Sequence, residues 1–183
     1  MKVIVFLAEG FEEIEALTVV DYLRRMDILV DTVSITDERE VKGAHDIRVI
    51  SDRTIAEIED INSYDGVVIP GGMPGATNLK NDKRVVQIVS SFNEKNKLIS
   101  AICAGPIVLD KADIIKDKNV TSYPGFDKRL KGCKYREEPV VRDGNIITAR
   151  GPALAVDFAI EIIEYLLGEK RAEDLKRDIL YRQ

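Results

Sequence analysis

Short apolar runs alternate along this chain with amphipathic segments, and that alternation decides the fold class. Lys2–Ala8 reads as a strand, Glu12–Met26 as a helix and Leu29–Ile35 as a second strand. Asp46–Ile50 reads as a short extended piece, Thr54–Ile61 as a short helix and Gly66–Ile69 as a central strand. Asp82–Lys95 is helical, Leu98–Ile102 is another apolar strand, and Ile107, Val108 and Leu109 open a further helix. Strands separated by helices favour parallel pairing, and a parallel sheet needs helices on both faces. The pattern changes near the end of the chain. Val140-Val141 and Ile146–Ala149 flank Arg142-Asp143-Gly144-Asn145, a hairpin signal, and Pro139 suits the first residue of an edge strand. Helical segments over Ala153–Leu167 and Arg171–Leu180 close the chain. The expected architecture is α/β, a mostly parallel sheet between two layers of helices.

At 183 residues, with no repeat, low-complexity tract or linker, one domain over 1–183 is expected. The 27 basic and 32 acidic residues leave a net charge of −5, which argues against a nucleic-acid partner. No charged segment precedes an apolar stretch at the N-terminus and no run reaches membrane length, so neither export nor a membrane partner is expected. The two cysteines, Cys103 and Cys133, show neither a disulfide framework nor metal-ligand spacing. A reducing cytoplasm is the expected location, with no metal and no cofactor.

The chemistry concentrates in Leu98-Ile99-Ser100-Ala101-Ile102-Cys103-Ala104-Gly105-Pro106. A strand runs into a sharp turn carrying cysteine, and a helix follows. Such a turn holds its side chain out at the carboxyl edge of the sheet, where open α/β folds bind ligands. It needs small neighbours, and Ala101 and Gly105 supply them. The positive end of the following helix would favour thiolate over thiol. Buried, inert cysteine is the competing reading.

A second strand end sharpens the choice. Gly66-Val67-Val68-Ile69-Pro70-Gly71-Gly72-Met73-Pro74-Gly75 closes in glycines, whose backbone N–H groups can approach a reacting atom as an oxyanion hole requires. A phosphate cradle would need Gly-Lys-Ser/Thr or GxGxxG, and neither is present.

Taken with Leu7-Ala8-Glu9-Gly10-Phe11-Glu12-Glu13-Ile14-Glu15 and Thr148-Ala149-Arg150-Gly151-Pro152, these motifs give the chain a family likeness. It resembles, nearly end to end, the ThiJ/PfpI superfamily with its DJ-one-like members and class I glutamine amidotransferase-like fold. The resemblance implies a flavodoxin-like three-layer αβα sandwich.

The supply of bases separates the mechanisms found in that superfamily. His45 is the only histidine and lies well upstream of the thiol. A glutamine amidotransferase triad needs histidine downstream, and the protease-like branch has histidine where this chain has Ala104. In the loop Thr121-Ser122-Tyr123-Pro124, Tyr123 stands where many DJ-one relatives have histidine. Protease and amidotransferase activity are therefore not expected.

Glu15 is the better partner for the thiol. On a helix over Glu12–Met26 it shares a face with Val19, Tyr22 and Met26, at the edge of the apolar sector. Dehydration there raises a carboxyl pKa, and a protonated acid can donate a hydrogen bond to a thiolate. From position alone Glu15 could equally be a solvated or capping residue, the fate expected of Glu12 and Glu13; the resemblance places it beside the cysteine. Arg25 and His45 match positions near the family's pocket and dimer interface, and His45 competes with a plain solvated loop histidine. Tyr123 either donates to substrate or packs. Cys133 reads as a surface thiol between lysines.

The resemblance implies a cofactor-independent enzyme acting on small reactive carbonyls or their adducts, in the manner of a glyoxalase or deglycase. Cys103 would be the nucleophile, Glu15 its assistant, and the backbone at Gly72 and Ala104 the oxyanion site. The alternative is a non-enzymatic stress protein that senses oxidants through Cys103 or acts as a chaperone. A homodimer is expected, because the Glu12–Met26 helix is apolar over a wider sector than one contact needs.

Overall fold

The computed structural model describes residues 1–182. In chain order the strands are β1 (Lys2–Leu7), β2 (Leu29–Ser34), β3 (Glu40–Lys42), β4 (Arg48–Ile50), β5 (Arg53–Thr54), β6 (Gly66–Ile69), β7 (Leu98–Ile102), β8 (Asn119–Val120), β9 (Lys134–Tyr135), β10 (Val140–Asp143) and β11 (Ile146–Ala149). The helices are α1 (Glu13–Arg25), α2 (Gly75–Asn81), α3 (Lys83–Glu94), α4 (Pro106–Lys111), α5 (Ala155–Leu167) and α6 (Glu169–Asp178).

Seven strands form the central sheet in the order β10-β11-β7-β6-β1-β2-β5. All neighbours are parallel except the β10–β11 hairpin at the edge, where Asp143 pairs with Ile146 around Gly144 and Asn145. β1 shows why the sheet lies in the middle. Val3, Val5 and Leu7 join a core with residues of α1, α5 and α6, while Ile4, Phe6 and Ala8 join the core formed with α2, α3 and α4. This is the flavodoxin-like three-layer αβα sandwich.

Most elements lie within a residue or two of their sequence expectations. α1 and α3 end at the expected caps, with the Asp82 side chain accepting from the Arg84 N–H at the head of α3. Thr54–Ile61 is different: Ile55–Glu57 and Ile61–Ser63 are separate 3₁₀ turns. A reciprocal capping box between Thr54 and Glu57 closes the first, and Asp60 caps the second, so each turn stops locally. Val41 and its neighbours in β3 pair antiparallel with β4, so the extended piece expected at Asp46–Ile50 is the second arm of a short hairpin. α2 is a helix the sequence pattern does not announce, its Gly-Ala-Thr-Asn opening having the composition of a turn.

The chain builds outward from β1 to β2 and β5, then crosses back to β6 on the other side of β1. Ligands bind at such a reversal, beyond the carboxyl ends of the strands. The loops following β1, β6 and β7 all emerge there.

Candidate active site

β7 ends at Ile102, and Cys103 adopts φ +62, the left-handed region that few non-glycine residues occupy. Three backbone hydrogen bonds hold the turn. Cys103 N–H donates to the Ala149 carbonyl at 2.9 Å, Tyr123 N–H donates to the Cys103 carbonyl at 2.9 Å, and Gly105 N–H donates to the Ile102 carbonyl at 2.8 Å. A conformation of this kind costs on the order of 1–3 kcal/mol, so these bonds enforce it. Gly105 has no room for a side chain: a Cβ there would stand 2.6 Å from the Ile69 carbonyl oxygen. α4 then starts at Pro106, which needs no N–H at the first helical position.

Glu15 lies in the first turn of α1 and is 0% exposed. The Gly71 N–H donates to its Oε2 at 2.7 Å, while Oε1 is buried with no hydrogen-bond partner. Loss of water pushes the carboxyl pKa up to about 7, although the Gly71 bond opposes this. The direction is the one that dehydration of a helix-borne carboxyl imposes.

The thiol differs from expectation. Cys103 is half-buried, and burial, then the charge and hydrogen bonding of Glu15, push it up to about 12, while the Ala104 and Gly72 N–H groups pull it down. α4 is only six residues long, and its end does not outweigh burial beside a carboxylate. The opposing charge disappears when Glu15 is protonated, and the carboxyl can then donate. Once the first of the two protons has left, the pair shares a single negative charge, and its titration belongs to both.

Gly71 permits this approach. A Cβ there would lie 2.6 Å from Glu15 Oε2, 2.7 Å from Cys103 Cβ and 3.1 Å from the Ala104 nitrogen. Gly72, at φ +83, has the Glu12 nitrogen 2.3 Å from the place of its missing Cβ. The structure therefore gathers Cys103, Glu15, Gly72 and Ala104 in one place, with Gly71 as the part that sequence reading missed.

The remaining candidates lie around this centre or away from it. Tyr123 adjoins the elbow through its bond to the Cys103 carbonyl, and its exposed ring passes 3.3 Å from where a Cβ on Gly151 would sit. Arg25 is exposed and pairs with Asp21 at 2.8 Å. It lies ten residues beyond Glu15, roughly 15 Å along the helix, so this chain's Arg25 does not join its own site. Glu13 is buried rather than solvated: its Oε1 accepts from the His45 main-chain N–H at 2.7 Å, and its Oε2 lies 2.9 Å from His45 Nδ1. Among the described residues, Glu12, Glu13 and His45 are the group whose ligand atoms are close enough to share a cation, within 4.8 Å of one another. Glu13 already spends its oxygens on the loop. Cys133 is half-buried between exposed neighbours, its Sγ 3.9 Å from the Leu130 carbonyl, and burial raises its thiol.

A strained, half-buried thiol next to a shared-proton carboxyl, with two backbone donors converging on sulfur, suits addition to an electrophilic carbon. No helix among the described residues is long and apolar enough to cross a membrane.

Comparisons with known proteins extend this picture over the chain. Drosophila melanogaster protein DJ-1alpha is 38% identical over 180 residues, covering 97% of this chain and 83% of its own length. Glutathione-independent glyoxalase DJ-1 of Schizosaccharomyces pombe is 32% identical, covering 93% of this chain and 94% of its own. The structure of oxidized Toxoplasma gondii DJ-1 superposes with a TM-score of 0.94 at 32% identity, covering 100% of this chain and 99% of that one. Residues 1–165 match the DJ-1/PfpI family. With the cysteine elbow, the glycine turn and the helix-borne glutamate all on the matched segment, this chain belongs to the DJ-1/PfpI family.

Proposed function

We propose that the chain is a cofactor-independent enzyme that converts small reactive dicarbonyls such as methylglyoxal to hydroxy acids, with Cys103 as nucleophile and Glu15 as its proton carrier. The observation that carries this reading is the buried Glu15 coupled to the Cys103 thiol, with its Oε2 fixed by Gly71. Support also comes from the relative described as a glutathione-independent glyoxalase.

In the proposed reaction, Cys103 passes its proton to the Glu15 carboxylate and its sulfur adds to the aldehyde carbon. The oxygen takes a proton from Glu15, giving a hemithioacetal. The resulting Glu15 carboxylate removes the hydrogen on that carbon, giving an enediol, and returns it to the neighbouring carbonyl carbon, while the hydroxyl proton of the hemithioacetal passes to the neighbouring oxygen. The product is a thioester, formed by internal proton transfer with no external oxidant. Water cleaves the thioester, releasing the 2-hydroxy acid and the thiol. The N–H groups of Gly72 and Ala104 hold the oxyanions of the addition and hydrolysis steps. Tyr123 lines the approach as a substrate-facing donor.

The same pair supports a second reading, in which Cys103 is oxidised stepwise to a sulfinate that a protonated Glu15 stabilises. Turnover separates the two. With methylglyoxal in large excess, the enzyme reading expects many molecules of lactate per protein chain, lost in Cys103→Ser and retained in Cys133→Ser. Carbonyl loss that stops at one equivalent, with no lactate, would replace it with the thiol-sensor reading.

A further inference from the structure

The charged cluster at the head of α1 stands outside the reacting pair but shares its supports. His45 Nδ1 lies 2.9 Å from Glu13 Oε2 and 3.5 Å from Glu12 Oε1. Two main-chain bonds fasten this loop and the residues before it to the α1 entry: Ala44 N–H donates to the Phe11 carbonyl, and Gly10 N–H to the Lys42 carbonyl, both at 2.8 Å. The Glu12 N–H in turn donates to the Gly71 carbonyl at 3.0 Å, and Gly71 N–H donates to Glu15 Oε2 at 2.7 Å. A continuous path of hydrogen bonds and backbone thus leads from His45 to the acid that faces the thiol.

The geometry points to His45 as a positioning residue of the Cys103–Glu15 pair: its ring, within reach of both Glu12 and Glu13, holds them at the head of α1 and tempers the negative field that they set up near Glu15. This rests on the reading that Glu15 governs the thiol.

The groups facing His45 are Glu12 and Glu13 from α1 and Asp46 from its own loop, with Lys42 of β3 held 3.1 Å from Asp46. The hydrogen bond to Glu13, then the charges of Glu12 and Glu13, keep the imidazole protonated above its ordinary range. Burial raises Glu12 and His45 opposes the rise, while the Glu12 charge in turn raises Glu15. Below the His45 pKa the cluster carries a compensating positive charge. Once that charge is lost, Glu12 acts on Glu15 unopposed and Glu15 holds its proton to higher pH. His45 is exposed, so the path to Glu15 is well screened. The expected displacement of the Glu15 titration is roughly 0.3–0.5 pH unit.

The test is the pH dependence of Cys103 alkylation by iodoacetamide in a Cys133→Ser background. Variants are His45→Gln, which keeps a hydrogen-bond donor without charge, His45→Arg, which keeps charge at every pH, and Glu15→Gln. The expected result is a limb near neutral pH that Glu15→Gln abolishes, that His45→Gln moves up by 0.3–0.5 unit, and that His45→Arg restores. In 0.5 M salt the His45→Gln displacement should shrink. Superposed profiles for wild type and His45→Gln, both folded by circular dichroism, would overturn the assignment. So would a rate reduced by one factor at all pH values, the mark of a merely structural residue. A limb that moves when EDTA is added would assign the cluster to a divalent cation instead. A wild-type profile already identical to that of Glu15→Gln would locate the failure earlier, in the role given to Glu15, and His45 would fall with it.

Discussion

Glu15 illustrates how one side chain trades stability for chemistry. Its folded-state pKa is raised from 4.5 to about 7, so the native protein binds a proton that the unfolded chain has released between those values. Stability conferred by the protonated form is full below pH 4.5 and falls as pH rises through about 7. At complete burial the loss amounts to about 3 kcal/mol. Denaturant titrations of wild type should show that decline, and Glu15→Gln should remove it, being more stable than wild type at pH 8 by up to about 2–3 kcal/mol. Gln retains an acceptor for the Gly71 N–H and a donor toward sulfur but cannot carry a proton, so methylglyoxal turnover should fall at least 100-fold in the same variant. Glu15→Asp, one methylene short, should lose the Gly71 bond as well. A Glu15→Gln protein whose stability followed pH as wild type does would disprove the ionisation assigned to this residue.

At the level of elements, the site depends on turns whose backbones come closer than side chains allow. Gly71 does not need a left-handed φ; its constraint is the 2.6 Å and 2.7 Å distances from its missing Cβ to Glu15 Oε2 and Cys103 Cβ. Gly71→Ala should therefore push the acid and the thiol apart. We expect at least a tenfold slower Cys103 alkylation and a destabilisation of about 1–3 kcal/mol in urea melts. Gly125→Ala would separate strain from crowding, since Gly125 sits at φ +88 with nothing within 4 Å of its Cβ position; it should cost stability and leave alkylation unchanged. The strands and the long helices were legible in the sequence because apolar period and caps coincide: Asp82 opens α3, and Val3 to Leu7 alternate between two cores. α2 was not, because glycine, threonine and asparagine are weak helix formers and tertiary packing of Ala76 and Leu79 overrides them. At the site, Cys103 could be read from its place in the strand-to-helix turn, whereas helix position left Glu15 open between the pocket and solvent and only the family resemblance put it beside the thiol. The burial of Glu13 could not be read, because its partners are main-chain N–H groups of a loop more than thirty residues away, and main-chain donors leave no mark on sequence.

For the whole molecule, the sheet reversal beside β1 gathers the site loops at one edge, and α1 links that edge to the outer surface. The breadth of the apolar sector on α1 has two explanations once the packing is known. Val19, Val20, Leu23 and Met26 are buried in this chain, in the same core as Phe158 and Ile162 of α5 and Leu175 of α6. That part of the sector needs no second copy. Ile14, Ile47 and Ile50 remain exposed at 53%, 53% and 75%. The Ile47 N–H donates to Glu13 Oε1 at 3.4 Å, so Ile47 flanks the same turn of α1 that carries Ile14, and Ile50 ends the adjoining β4. A two-fold axis through this patch would oppose two copies of the α1 head. We therefore expect a homodimer by sedimentation velocity at micromolar concentration. Ile14→Lys combined with Ile50→Lys should give a folded monomer, because two charges brought into an apolar two-fold contact meet their own copies. Cys103 reactivity should fall with dissociation and with dilution of the wild type. A wild-type monomer with undiminished, concentration-independent reactivity would rule out this assembly.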